Sequence, residues 1–219
     1  MTKRLFDDKP YDSFFHAKVI FIGIDYIVLD QTLFYPLSGN QQFDKGTLNG
    51  VDVISVEIDT KDNDFLDFHS PIKHFIDISS FKTGQQVKGI IDINRRRKIM
   101  RLHTASHIVE YFIKQMPVFI SVEGSFVNDE KDRTDYRLSQ NLDPEILKKL
   151  EADVNEFINT GQKIFFKQDE NIRYWCCGDM KMPCCGTHVH NVSEVGEIIL
   201  SRKNKGKGIN RIEIHLKNE

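Results

Sequence analysis

RRRKIMRLHTASHIVEYFIKQM, residues 95–116, sets the reading of the whole chain, because it places two histidines one helical turn apart in the middle of an apolar face. Ile99, Leu102, Val109 and Phe112 recur with helical spacing, basic residues cluster at the start, and Pro117 cannot continue the element. The spacing predicts a half-buried helix from which His103 and His107 project on one face. Two imidazoles at i and i+4 can both reach one ion about 2 Å away, as in helical zinc sites. The spacing alone carries little, since a chain with eight histidines produces such pairs by chance, and two satisfied core or surface histidines would look the same.

A second segment, MPCCGTHV at 182–189, holds Cys184 and His188, again four apart, around a Gly-Thr that reads as a tight turn. A thiolate and a third imidazole added to the first two give a set of donors suited to zinc. The joint occurrence is far more specific than either half. The alternative is a buried free cysteine and a surface histidine. A zincin protease is excluded, because its general base must follow the first histidine, where Thr104 stands.

HTASH (103–107) followed by CCGTHV (184–189) resembles the HxxxH and CxxxH pair of the alanyl-tRNA synthetase editing domain and its free-standing relatives, the AlaX trans-editing proteins. TLFYPLSGNQQFDKGTL (32–48) resembles that family's glycine-rich segment, and DINRRRKIMRLHTASH leads into the helix in the family's manner. GSFV (124–127), DRTDYR (132–137), SEVGEI (193–198) and KGKGINRIEIHL (205–216) follow in family order, so the likeness spans nearly the whole chain. Leu37 stands where a glutamate is usual and Asn40 where a second glycine is usual. Gly39, Gln41, Asp44 and Gly46 match. Asparagine tolerates positive φ, so the backbone path can survive, but a charge-based role at position 37 is lost.

The resemblance implies Zn2+ held by His103, His107 and Cys184, with His188 bound or just outside. Such an ion can bring a bound water toward a pKa of about 7 and polarise a carbonyl, and no separate base is assigned. It further implies hydrolysis in trans of the ester between a wrong amino acid, serine foremost, and the 3′-terminal ribose of alanine tRNA. An alanine pocket discriminates weakly against one added hydroxyl, so a second site must read it. Thr104 and Ser125 are the candidate readers, each equally open to a plain structural role. Gly39, Gln41 and Asp44 become a wall of the substrate site or RNA channel. The partner would be the acceptor end of tRNA(Ala) carrying serine or glycine. Two other readings stay open: a non-catalytic module in which zinc only holds an RNA-binding fold together, and editing of serine on threonine tRNA, whose synthetase shares the metal motif. The glycine-rich segment favours the alanine branch.

Composition is that of an ordinary globular protein, 40% hydrophobic and 28% charged over 219 residues, with no apolar run near the ~20 residues a bilayer requires. MTKRLFDDKP does not read as a signal peptide, and the expected compartment is the cytoplasm. The chain is too short to include a synthetase's activation domain. A net charge of −2 excludes a general nucleic-acid binder, so RNA contact must be local. Two basic runs offer it, one with Arg95 and Arg96 and one with Lys203, Lys205 and Lys207, although such runs are commonly solvated faces. The four cysteines form two vicinal pairs, which in a cytosolic chain favours metal or free thiols over disulfides.

The fold expected is α+β: a small N-terminal β-barrel over 1–91 and a two-layer, mainly antiparallel editing domain over 92–219. AKVIFIGI, YIVLDQT, GVDVISVEI, DFLDFHS and VKGIIDI read as the barrel strands. FISVEGSFV reads as a strand, DEKDRTD as a turn and YRLSQ as the returning strand. Asp143-Pro144 starts a packing helix that runs to Gly161, and KIFFKQ, GEIILSRK and INRIEIHLK complete the set.

Overall fold

The structure, a computed structural model, describes residues 2–58, 70–169 and 172–217. It divides into two compact units, Met1–Arg97 with Cys185–Thr187, and Lys98–Cys184 with His188–Glu219.

The first unit holds β1 (Lys3–Arg4), α1 (Leu5–Asp8), β2 (Phe14–Ile22), β3 (Tyr26–Leu29), β4 (Gln31–Thr32), β5 (Gly46–Leu48), β6 (Val51–Asp52), β7 (Ser55–Ile58), β8 (Ile72–Phe75) and β9 (Gln86–Ile91). Seven strands pair antiparallel in the order β6-β5-β9-β2-β3-β8-β7, and β1 pairs β4 in parallel. The alternation in FFHAKVIFI explains the inward face: Phe15, Ala17 and Val19 are buried while Phe14, His16 and Lys18 face out. Phe15 lies opposite Gly89, where an added Cβ would sit 2.1 Å from the phenyl ring, so only glycine admits that ring to the core.

No ladder joins β6 to β7 among the described residues, so the expected barrel is a mainly antiparallel sheet without closure. GVDVISVEI, read as one strand, is broken at Val53-Ile54 into β6 and β7. Val53 N–H donates to Gly46 O (2.9 Å) and Ile54 N–H to Phe75 O (2.8 Å), so the chain leaves β5 and takes up β8 within two residues. DFLDFHS lies outside the described residues except for Ser70.

The segment between β4 and β5 is anchored from within. Asp44 accepts the Tyr35 N–H (2.6 Å) and the Arg96 Nε–H (2.8 Å), and Arg96 Nη2 also donates to Asp44 and to Leu33 O (2.7 Å). Arg96 is 0% exposed, and Arg95, also buried, donates to Phe43 O (2.7 Å). These two arginines, expected to meet RNA, are instead covered and hold the loop; a guanidinium is retained there because carbonyls and a carboxylate satisfy it. Gly39 (φ 54°) and Asn40 (φ 61°) both take the left-handed conformation, so the asparagine follows the backbone path its position requires.

The long helix α2 (Ile93–Lys114) starts on Asp92, whose Oδ1 accepts the Arg95 N–H (3.0 Å), and continues into the second unit. Ile99, Leu102, Ala105, Val109 and Ile113 form its buried stripe. The second unit adds β10 (Phe119–Val127), β11 (Asp132–Leu138), α3 (Pro144–Asn159), β12 (Phe165–Asp169), β13 (Ile172–Cys177), β14 (Met180–Pro183), β15 (Ile198–Gly206) and β16 (Ile209–Leu216). Its sheets are antiparallel, ordered β10-β11-β16-β15 and β12-β13-β14. Asp143 caps α3 by accepting the Ile146 N–H (2.8 Å).

Two local readings are corrected. The turn before β11 spans only Asn128 to Lys131, since Asn128 Oδ1 satisfies the Glu130 and Lys131 amides, and the polar DRTD belongs to the strand. The β13-β14 hairpin was not anticipated, because Arg173 and the vicinal cysteines obscure its alternation.

Removing one partner of the buried Arg96-Asp44 pair, as in Arg96→Met, should destabilise the protein by about 3–5 kcal/mol in denaturant unfolding. A loss below about 1 kcal/mol would show that the loop does not depend on the pair. Asp132, buried against Ser106 and Thr134, has its carboxyl pushed up to about 7 by burial, with the two hydroxyls opposing the shift. The folded chain therefore holds a proton that the unfolded chain releases near pH 4, and this group's contribution to stability falls as pH rises from about 4 to 7. Asp132→Asn should be stabilised relative to the parent progressively across that window. A constant gap between their unfolding midpoints would mean that Asp132 does not titrate there.

Candidate metal centre

Four side chains converge in the second unit. One donor atom each from His103, His107, Cys184 and His188 lies within 4.8 Å of the other three, and the group could hold a metal ion. The first two come from one face of α2; the other two flank the turn after β14. Cys184 Sγ is 3.2 Å from His188 Nε2 and 3.7 Å from His103 Nε2. Donors about 2.0–2.3 Å from a tetrahedral zinc are ~3.3–3.8 Å apart, so these separations are near those of a bound set.

Two rings are turned by partners on their other nitrogen. Thr104 Oγ1 sits 3.0 Å from His188 Nδ1 and also accepts the Val189 N–H (3.4 Å), which directs His188 Nε2 toward the thiol. Met182 Sδ lies 3.0 Å from His107 Nδ1. Trp175, paired across the ladder with Met182, stacks on the same imidazole at 5.0 Å and 24°, so the hairpin holds His107 from two sides. Such contacts on the outer nitrogen orient imidazole ligands in metal sites.

All three imidazoles are held neutral, the state in which a ring nitrogen offers its lone pair. Burial lowers His103 to about 3, assisted by the nearby Arg173 charge. Burial also drives His107 and His188 well below the usual range, with their neighbours adding to it. Arg173 is itself buried, with its guanidinium 3.4 Å from the centre of the Phe166 ring, and its carbonyl accepts the Cys184 N–H (2.9 Å). Its cation raises the local preference for anionic donors or ligands.

Thr104 is fully buried and bonded to His188, so its hydroxyl has a role inside the protein. Ser125 is half-buried on β10 opposite Thr134. In the first unit, Gly39 is exposed, Asp44 is held by Arg96, and Gln41 is buried against Thr187. Lys203, Lys205 and Lys207 are exposed, and Lys203 pairs with Glu213 (2.8 Å), which also takes Lys131 (2.9 Å) and is held down at about 2 by these two partners. Sequence reasoning missed Met182, Trp175 and Arg173. Arg173, Trp175, Cys176 and Cys177 are all buried along β13, which breaks strict alternation, so no periodic signal marked them in the sequence. No helix among the described residues is long and apolar enough to cross a membrane.

Comparison with known proteins gives these residues a context. Residues 173–213 match the model of the threonyl and alanyl tRNA synthetase second additional domain, a span that includes Cys184 and His188. The alanyl-tRNA editing protein AlaX-M of Pyrococcus horikoshii is 32% identical over 99% of this chain and 98% of its own length. The alanine–tRNA ligases of Methanococcus vannielii and Methanoregula boonei are 33% and 31% identical over 97% of the chain, which spans about a quarter of each ligase (26% and 25%). With a relative of this identity matched along nearly its entire length, the chain belongs to the AlaX family of alanyl-tRNA editing proteins and synthetase editing domains.

Proposed function

We propose that the protein hydrolyses mischarged aminoacyl-tRNA(Ala), serine foremost, in the cytoplasm, with zinc held by His103, His107, Cys184 and His188. The observation that carries this reading is the convergence of three neutral imidazoles and a thiol, two of the rings oriented through their outer nitrogen, in a chain of the editing family. A bound zinc ion would supply Lewis acidity toward the ester carbonyl or toward a water.

The chain's own residues prepare the site. Thr104 and Met182 fix which nitrogen of His188 and His107 points inward, Trp175 limits rotation of His107, and the buried Arg173 places a positive charge close enough to disfavour protonation of His103. Burial around the histidines lowers the local dielectric, which strengthens each of these interactions. The ester's tRNA body would be engaged by exposed lysines on and beside β15, where Lys205 and Lys207 are the more available because Lys203 is tied to Glu213.

The two vicinal cysteines provide the sharpest test. Only Cys184 belongs to the convergent group, so Cys184→Ser should lose zinc and at least tenfold in hydrolysis of seryl-tRNA(Ala), because a hydroxyl is a far poorer ligand than a thiolate. Cys185→Gly should retain both. Zinc content and deacylation of serine esters of alanine and threonine tRNA, with and without chelator, decide the matter. Preference for the threonine tRNA, or hydrolysis indifferent to chelator, would overturn the assignment.

For the RNA contact, replacing Lys205 and Lys207 by methionine should weaken tRNA binding and lower its salt slope by roughly one per phosphate contact removed. An unchanged slope would place the RNA elsewhere.

A further inference from the structure

Gln41 matches the family's glycine-rich segment, and its expected place was a substrate wall. It is instead 0% exposed, and both ends of its amide meet one residue. Gln41 Nε2 donates to Thr187 Oγ1 (2.9 Å), and Thr187 N–H donates to Gln41 Oε1 (3.0 Å). Thr187 is 3% exposed, so the pair is shielded from competing water. Cys185, Gly186 and Thr187 are grouped with the first unit, whereas Cys184 and His188, the residues before and after them, belong to the second. The short turn between two metal donors is therefore held by a side chain far back in the sequence.

That turn needs holding. Gly186 within it has the widest backbone freedom of any residue, and an untethered segment would have to be ordered each time a metal is captured. A bidentate amide clamp on the residue next to His188 meets that ordering requirement in advance, which is how preorganisation raises affinity. Gln41 is itself fixed, because the loop that carries it is closed by Asp44 onto Tyr35 and Arg96.

We propose that Gln41 is a positioning residue for the CxxxH segment: its side-chain amide clamps Thr187 and so sets the separation and direction of Cys184 and His188 as a donor pair. The inference rests on the metal reading above and adds to it a residue outside the donor group.

The test measures zinc affinity by chelator competition, which does not depend on turnover, on the full chain. Gln41→Met keeps the length and removes both hydrogen bonds; a drop of about tenfold in affinity is expected, the low end of what direct partners of metal ligands give, because Gln41 acts through Thr187. Thr187→Val removes only the hydroxyl contact and should lose less, Thr187→Ser should bind as the parent does, and the double variant Gln41→Met/Thr187→Val should bind no more weakly than Gln41→Met alone. Circular dichroism identifies any variant that fails to fold; if Gln41→Met does, the ranking of the two Thr187 variants decides. Parental affinity in folded Gln41→Met and Thr187→Val, beside loss of metal in Cys184→Ser, would overturn the clamp and leave the metal centre standing. Parental affinity in Cys184→Ser as well would overturn both.

Discussion

A carboxylate and a guanidinium removed from water govern the N-terminal unit. Asp44 and Arg96 are buried together, and each is satisfied further by the backbone of the segment between β4 and β5. Either charge alone in that position would be costly to bury, so the loop and the start of α2 must form together. The pairing gives a glycine-containing segment a defined path, and that path delivers Gln41 to Thr187. The buried pair is thus connected, through the backbone of its loop, to the turn between Cys184 and His188.

The second unit achieves orientation differently. Its candidate donors are placed by regular structure, a helix face and a hairpin, and then turned by neutral contacts: a hydroxyl, a thioether and an indole face. Neutral partners leave the imidazoles uncharged, and burial reinforces that state. The positive charge nearby, Arg173, acts in the same sense and is shielded by Phe166.

Charge on this chain is divided by burial rather than by sequence run. Arg95 and Arg96 look like part of a basic patch and are interior struts, while Lys205 and Lys207 are exposed. Lys203 falls between the two classes, an exposed side chain whose tip is paired to a covered glutamate. A run of like charge says that the residues are close in the chain and nothing about which of them reach solvent.

By itself the sequence determined the helix with its two histidines, the capped packing helix, most of the strands and the pairing of HxxxH with CxxxH. The elements depend on local period and capping, which are properties of neighbours in the chain, whereas the pairing of the two motifs rests on their joint occurrence and on the family resemblance. Only the tertiary structure decided that Val53-Ile54 is a corner between β5 and β8, that Trp175 and Met182 brace His107, and that Thr104 and Gln41 bond to His188 and Thr187. Those facts join residues far apart in sequence, and a buried amide or hydroxyl has the same one-letter code as an exposed one. Its role is set by the partner that folding brings within about 3 Å, which no local pattern encodes.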